Sequence, residues 1–374
     1  MKTTLIFEPT LTGHHLEYLH HYYLGALERK DRKFIFLVPK SFDCVKDKYT
    51  WEKASHIEFR YIDEKYSRCL TAKNIYRLGW NASRVLNDYV RVLHAEEVIL
   101  TMLMQFIPFI IFLLPSNVRV RGIMYRIYLY PQNKTSWLRL AAERLRFWLT
   151  ARSRIVESVF VLNDADSANR FNKIYNTAKF KFLPDPVPQV DVNSVKNIRH
   201  ELGVPDNHTM YLHFGALNKR KGTLDILNAI ISAPSEMLMD KTFVFAGKQN
   251  DAFRSEFYPL LETARKATQV LVYDEFCSYE FLYNLCFSCD VVLMPYHLTN
   301  LSSGVLGYAS LFGKPVIGPR DGLIGHLITK YELGEVIDTP INADVLQHIP
   351  TKHGLQDDYV RINQLDSFIN LIMR

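Results

Sequence analysis

Hydrophobic positions along this chain fall in short bursts separated by polar turns, and the bursts alternate between two periods. Thr4 to Phe7 is a brief β-rich run that ends in the loop EPTLTG. HHLEYLHHYYLGALERK then places Leu16, Leu19, Tyr23 and Leu24 on one helical face, and FIFLVP at 34–39 is again a strand. A strand, a Gly-containing loop, a helix and a second strand predict the start of a parallel α/β sheet. Further on, SVFVLNDADSANRFNKIY reads as a strand and then a helix. FKFLPDPVPQV, with its clustered prolines, reads as a connection between domains. The alternation then restarts. MYLHFGAL, KTFVFAG, QVLVYDEF, VVLMPY and PVIGP are strands, and GTLDILNAIISA, EFYPLLETARKA, SYEFLYNLCFSC and GVLGYASLFG are the helices between them. Regular pairs of this kind specify a doubly wound parallel sheet. QLDSFINLIMR predicts a final helix.

Val98 to Pro115 interrupts this pattern with 18 positions that carry no charge. That is the lower limit for a membrane-spanning helix. Gln105, Thr101 and a central Pro108 argue against spanning, so a buried helix turning into the strand VRVRGIMY is expected. After it comes a basic stretch, with nine Lys+Arg against one acid from Arg119 to Arg154. Within it, Trp137, Leu138, Ala141, Leu145 and Trp148 share one helical face flanked by Arg139, Arg144, Arg146 and Arg152. Two readings stand for that helix: one resting on an anionic lipid surface, or a core helix with a solvated basic side.

The 374 residues suit two domains, and 48% hydrophobic with 22% charged residues is globular composition. The charge is divided unevenly: residues 1–190 hold 29 Lys+Arg against 18 Asp+Glu, and the remainder 16 against 21. A basic first half implies an anionic partner. No nucleic-acid-binding signature accompanies it, so a membrane surface or lipid phosphate is the simpler expectation and nucleic acid is not expected. Five scattered cysteines imply no disulfide framework, and the CFSC pair, Cys286 and Cys289, lacks the further ligands a metal site needs. MKTTLIFEP reads as a strand rather than a signal peptide, which makes the cytoplasm the expected compartment.

Two loops carry the chemistry. In FGALNKRKGT, a strand runs into Asn218, Lys219, Arg220 and Lys221, and Gly222 precedes a helix. Cations beside a helix start suit a diphosphate that must leave; such a triplet in isolation is an ordinary solvated turn. In TNLSSGVLGYASLFGKP, Ser302, Ser303 and Gly304 stand directly before a helix, where hydroxyls and main-chain N–H groups suit phosphate oxygens. A plain Ser N-cap accounts for the same residues. Both loops leave strands of one predicted sheet at the same edge.

FGALNKRKGTLDIL, CDVVLMPY, SSGVLGYASLFGKPVIG and GEVID, in this order and spacing, resemble the retaining glycosyltransferases of family 4. The resemblance covers about residues 205–340 well and the first half more loosely. It implies the GT-B fold, two Rossmann-like doubly wound parallel-sheet domains facing across a cleft. The expected boundaries are 1–186 for an acceptor-binding domain, 187–355 for a nucleotide-sugar-binding domain, and 356–374 for a helix crossing back. It further implies transfer from a nucleotide-diphosphate sugar to a glycan or lipid-linked acceptor, with no resident cofactor or metal. Lys221 falls on the family's loop lysine, with Arg220 as helper. Gly215, Lys219, Gly222, Ser302, Ser303, Gly304 and Tyr308 fall on the donor side, and Phe276 lies in the segment DEFCS that faces the nucleotide base. Gly13 matches the family's glycine loop. His14 is the expected acid–base residue beside it, and His15, Tyr125 and Arg126 are expected on the acceptor. Several positions depart from the family: Ala216 replaces an arginine, Asn300 and Tyr308 replace two glutamates, and Tyr125 or Arg126 stands where the family often has a histidine. Those departures support the alternative of a non-catalytic sugar-nucleotide-binding or scaffold protein on the same fold.

Overall fold

The computed structural model describes every residue except 12–14, 126, 128, 131–135 and 351–355, and the side chains of Arg139 and Val192. The chain divides into two compact units: Met1–Pro184 with Leu365–Arg374, and Asp185–Gln364. Against the expected boundaries, the first changeover comes two residues earlier, and the helix Gln356–Ile362 belongs to unit 2.

Unit 1 is built on β1 (Lys2–Phe7), β2 (Arg32–Val38), β3 (Ile57–Tyr61), β4 (Glu97–Leu100), β5 (Arg119–Met124), β6 (Val156–Leu162) and β7 (Phe180–Leu183). All are parallel, in the order β3-β2-β1-β4-β5-β6-β7. Thr4 of β1 is paired with Phe34 on one side and Glu97 on the other. The central strands are buried on both faces, which is why they read as continuous apolar runs.

Unit 2 repeats the plan with β8 (Thr209–Phe214), β9 (Lys241–Ala246), β10 (Gln269–Tyr273), β11 (Val291–Leu293), β12 (Val316–Pro319) and β13 (Gly334–Ile337). Its order is β10-β9-β8-β11-β12-β13, again wholly parallel. In each sheet the first strand therefore has its successor on one side and its fourth-placed relative on the other. Chain order reverses there, and it is at the carboxyl edge of such a reversal that open parallel sheets place their ligands.

The chain passes from unit 1 to unit 2 beside the place where it returns. Asn363, fully buried, accepts from Asp185 N at 2.9 Å through its side chain and from Val187 N at 2.8 Å through its carbonyl. The returning helix Leu365–Ile372 then completes the unit 1 core. Phe368 packs 5.4 Å from Tyr18 and 6.0 Å from Tyr22, ring centre to ring centre. At the opposite, amino edge, Arg121 pairs with Glu97 at 3.0 Å and donates to the carbonyl of Arg374, so a hydrogen bond holds Arg374 against the sheet.

The segment 98–115 departs from expectation. Its first residues are β4, and the rest forms two short helices, Leu103–Phe106 and Phe109–Leu113, on either side of Pro108. A doubly buried strand and an apolar helix share the same composition, so periodicity does not separate them. Among the described residues, no helix is long and apolar enough to cross a membrane.

Candidate functional site

In unit 2 the loops that leave β8 and β11 meet. The β8 loop closes as a single tight turn, Lys219–Lys221, because the Asn218 side chain accepts from Lys221 N at 3.2 Å. Gly222 then turns into the helix Thr223–Ser232 with φ +69°. A side chain at Gly222 would collide with the carbonyl of Pro295 in the β11 loop, so only glycine fits. The same two loops are joined by His297 N donating to Arg220 O at 2.9 Å, and by His297 against Asp225 at 2.6 Å.

A chain of directed hydrogen bonds supports this junction from below. Buried His213 must donate Nδ1–H to the Leu293 carbonyl, 2.9 Å away, because a carbonyl only accepts. Its Nε2 then accepts from the Thr223 hydroxyl at 2.9 Å, and that oxygen accepts from Asn218 N at 3.2 Å. Burial, together with the charge of Lys221, pushes His213 down to about 3, so the ring stays neutral and the chain of donors keeps one direction.

The three expected cations have different fates. Lys219 is taken by Glu256 at 2.6 Å. Arg220 is exposed and forms no ion pair among the described residues. Lys221 alone turns inward: it is 9% exposed, its Nζ donates to Phe214 O at 3.3 Å and lies 5.1 Å from the ring centre of Tyr296. No carboxylate pairs with it among the described residues. Gly215 leaves it room, since a methyl group there would lie 2.5 Å from Nζ. A buried ammonium with no counter-charge is costly unless an anion completes it.

The helix Gly304–Leu311 follows the β11 loop, and no side chain caps its start, so Ser303 is not the plain cap it resembles in sequence. The Ser302 hydroxyl donates to Asp185 at 2.6 Å, which fastens this loop to the first residue of unit 2. Tyr308 stands edge-on to Phe214 at 5.4 Å and stacks on Tyr283 at 5.6 Å, which places it at the end of β8 near Lys221. Among the described residues, buried Asn300 has no partner for its Oδ1, and the Tyr296 hydroxyl has none either. Phe276 follows β10, the outer strand of this sheet, and is exposed.

In unit 1, His15 opens the helix His15–Leu27 and its Nδ1 lies 2.9 Å from Glu8 Oε1. Tyr125 follows β5 and packs edge-on to Tyr18 at 5.8 Å. Gly13, His14 and Arg126 lie outside the described residues. Glu8 was not among the expected site residues; its only sequence signal is an acid directly after a buried strand. In the helix Trp137–Arg152, the apolar face identified by spacing is turned outward: Trp137 is 75% exposed, and Leu138, Leu145 and Trp148 are exposed with it. Phe147, on the other side, fills the core beside Phe171 at 4.8 Å. Arg146 does not flank the exposed face. It donates to the carbonyls of Met104 and Ile107 and pairs with Glu143.

Two Rossmann-like units of this strand order define the GT-B fold. Solved glycosyltransferase structures share it across their whole length. One is WaaG, a glycosyltransferase involved in lipopolysaccharide biosynthesis (15% identity, 99% of this chain and 97% of that chain, TM-score 0.67). Another is HepE from Anabaena, in complex with UDP-glucose (13% identity, 100% and 98%, TM-score 0.67). A third is sucrose-phosphate synthase from Thermosynechococcus elongatus (12% identity, 100% and 94%, TM-score 0.64). No family model matches the chain, and no curated protein matches it in sequence.

Proposed function

We propose that this protein is a glycosyltransferase that moves a sugar from a nucleotide-diphosphate donor with retention of configuration. One observation carries the reading: Lys221, a buried cation with no carboxylate partner among the described residues, stands where two loops meet at the chain-order reversal of unit 2. In this reading the diphosphate lies between the 215–222 loop and the start of the helix Gly304–Leu311. The bond from the sugar's anomeric carbon to the diphosphate oxygen breaks, and its electron pair stays on that oxygen. Lys221, helped by Arg220 and main-chain N–H groups, stabilises the growing charge. The acceptor oxygen forms the new bond on the face the phosphate leaves, and its proton passes to the departing phosphate. Asp185 orders the loop through Ser302, and Tyr308 offers an aromatic wall and a hydroxyl.

The acceptor in this proposal is a glycan or lipid-linked glycan of cell-surface polysaccharide synthesis. The outward Trp137, Leu138, Leu145 and Trp148 with Arg144 and Arg152 suit a peripheral seat on an anionic membrane, on the cytoplasmic side. WaaG, a glycosyltransferase involved in lipopolysaccharide biosynthesis, and HepE, solved in complex with UDP-glucose, support the direction of the reading.

The decisive experiment is a thermal-shift panel of nucleotide-diphosphate sugars, followed by release of the nucleoside diphosphate, on wild type and Lys221→Met. Stabilisation and turnover in wild type, both lost in the variant, are expected. Stabilisation without turnover in wild type favours the second reading, a sugar-nucleotide-binding protein without catalysis, for which Ala216, Asn300 and Tyr308 speak.

A further inference from the structure

At the carboxyl edge of unit 1, Glu8 leaves β1 and Thr101 leaves β4, the two strands between which chain order reverses. Glu8 is 2% exposed, and no Lys or Arg pairs with it among the described residues. Its Oε1 accepts from Thr10 N at 3.3 Å and from His15 Nδ1 at 2.9 Å. Its Oε2 is buried without a hydrogen-bond partner among the described residues, and so are the hydroxyls of Tyr22 and Thr101. The Tyr22 hydroxyl lies beside the Thr101 hydroxyl and in the field of Glu8. Burial pushes the Tyr22 phenol far above its ordinary value, so it is a neutral hydroxyl with a hydrogen to give.

Three unmet polar groups and a histidine thus share one end of the sheet. A carboxylate only accepts, so His15 donates to Glu8 through Nδ1, and in the neutral form of the ring that leaves the lone pair on Nε2. His15 is also the member of the group that reaches solvent, with 19% of its side chain exposed.

We propose that Glu8 and His15 form a receptor for a neutral sugar hydroxyl at the reversal point of unit 1. His15 Nε2 accepts the hydroxyl hydrogen, and Glu8 is the positioning residue that fixes which nitrogen is free. The unmet Glu8 Oε2, Tyr22 and Thr101 groups lie behind it, to be satisfied directly or through one water. A buried carboxylate repels phosphate, so this site takes the uncharged, hydroxyl-rich part of a substrate and not its diphosphate. The substrate class rests on the glycosyl-transfer reading; the geometry of the pair does not.

The test uses the full chain labelled with ¹⁵N-histidine. Long-range ¹⁵N–¹H spectra report which nitrogen of His15 carries hydrogen, and His15→Gln identifies the signal. Wild type is expected to hold hydrogen on Nδ1, and Glu8→Gln to lose that preference, because an amide both donates and accepts. Titration with methyl α-glucoside and methyl N-acetylglucosaminide should move the His15 signals, whereas inorganic phosphate should not. Glu8→Gln should weaken saccharide affinity about tenfold, and Glu8→Asp should recover part of it. Hydrogen on Nε2 in wild type overturns the proposal. So does a response to phosphate alone, a response to none of the probes, or unchanged saccharide affinity in Glu8→Gln. Stabilisation by UDP, measured in parallel, should match wild type in Glu8→Gln, which shows that the variant is folded. Its absence in wild type would count against the donor reading and leave the histidine result standing.

Discussion

The two units share one strand order and reverse it at the same point, yet they put opposite charges there. Unit 1 presents a buried carboxylate, Glu8, with no basic partner among the described residues beyond His15. Unit 2 presents a buried ammonium, Lys221, with no acidic partner among the described residues. The shared strand order fixes where these two side chains stand, and under the proposed function the charge there sets which ligand each unit takes. Net charge misleads about this contrast. The half of the chain with the larger excess of Lys and Arg holds the buried carboxylate, because its cations are spent elsewhere: Arg121 on Glu97 and the chain end, Arg146 on main-chain carbonyls.

The most severe test of the contrast is to erase it. Lys221→Glu would give both reversal points a carboxylate, and stabilisation by UDP should vanish with transfer reduced by about a hundredfold or more. A variant that still binds UDP would show that charge at this position does not select the ligand. The next largest effect separates the units. Phe368→Ala removes a fully buried ring from unit 1 and should cost about 3–5 kcal/mol. Urea unfolding should show that loss, while UDP continues to protect the folded fraction.

A smaller effect comes from pH and touches both units alike. Burial pushes His21 in unit 1 down to about 4 and His213 in unit 2 down to about 3. Below about pH 6.5 the unfolded chain takes up protons that the native chain refuses. Stability present above that pH is therefore lost as the pH falls toward 4, by about 1.4 kcal/mol per unit for each histidine. Urea midpoints at pH 7.5, 6 and 5 check the slope, and His213→Gln should flatten it. The smallest effect is expected at Lys219→Ala. Its charge is exposed and already paired with Glu256, so stability should change by less than about 1 kcal/mol and the UDP shift hardly at all. An effect as large as that of Lys221 would mean that both cations serve the phosphate.

Much of this was legible in the sequence, and the misses have physical reasons. Regular strand–helix alternation from Met210 onward reads directly as a parallel sheet, because strands buried on both faces are short, uniformly apolar and bounded by turns. The half-exposed edge strand β3 lacks that signature, and β7 was absorbed into the proline-rich connection that follows it. The KRKG loop was legible as a cationic turn before a helix. Which of its three cations would face inward was not, since that depends on the turn set by Asn218 and on the space left by Gly215. Glu8 left no pattern at all. An acid after a strand becomes informative only when the sheet order puts it beside Thr101 and Tyr22.

Unit 1 is discontinuous, and that has a consequence for how the protein is made. The ribosome delivers the helix Leu365–Ile372 only after all of unit 2 has emerged, so the earlier domain is the later one to finish. Until then the rings of Tyr18 and Tyr22 lack the Phe368 ring that packs on them in the finished unit.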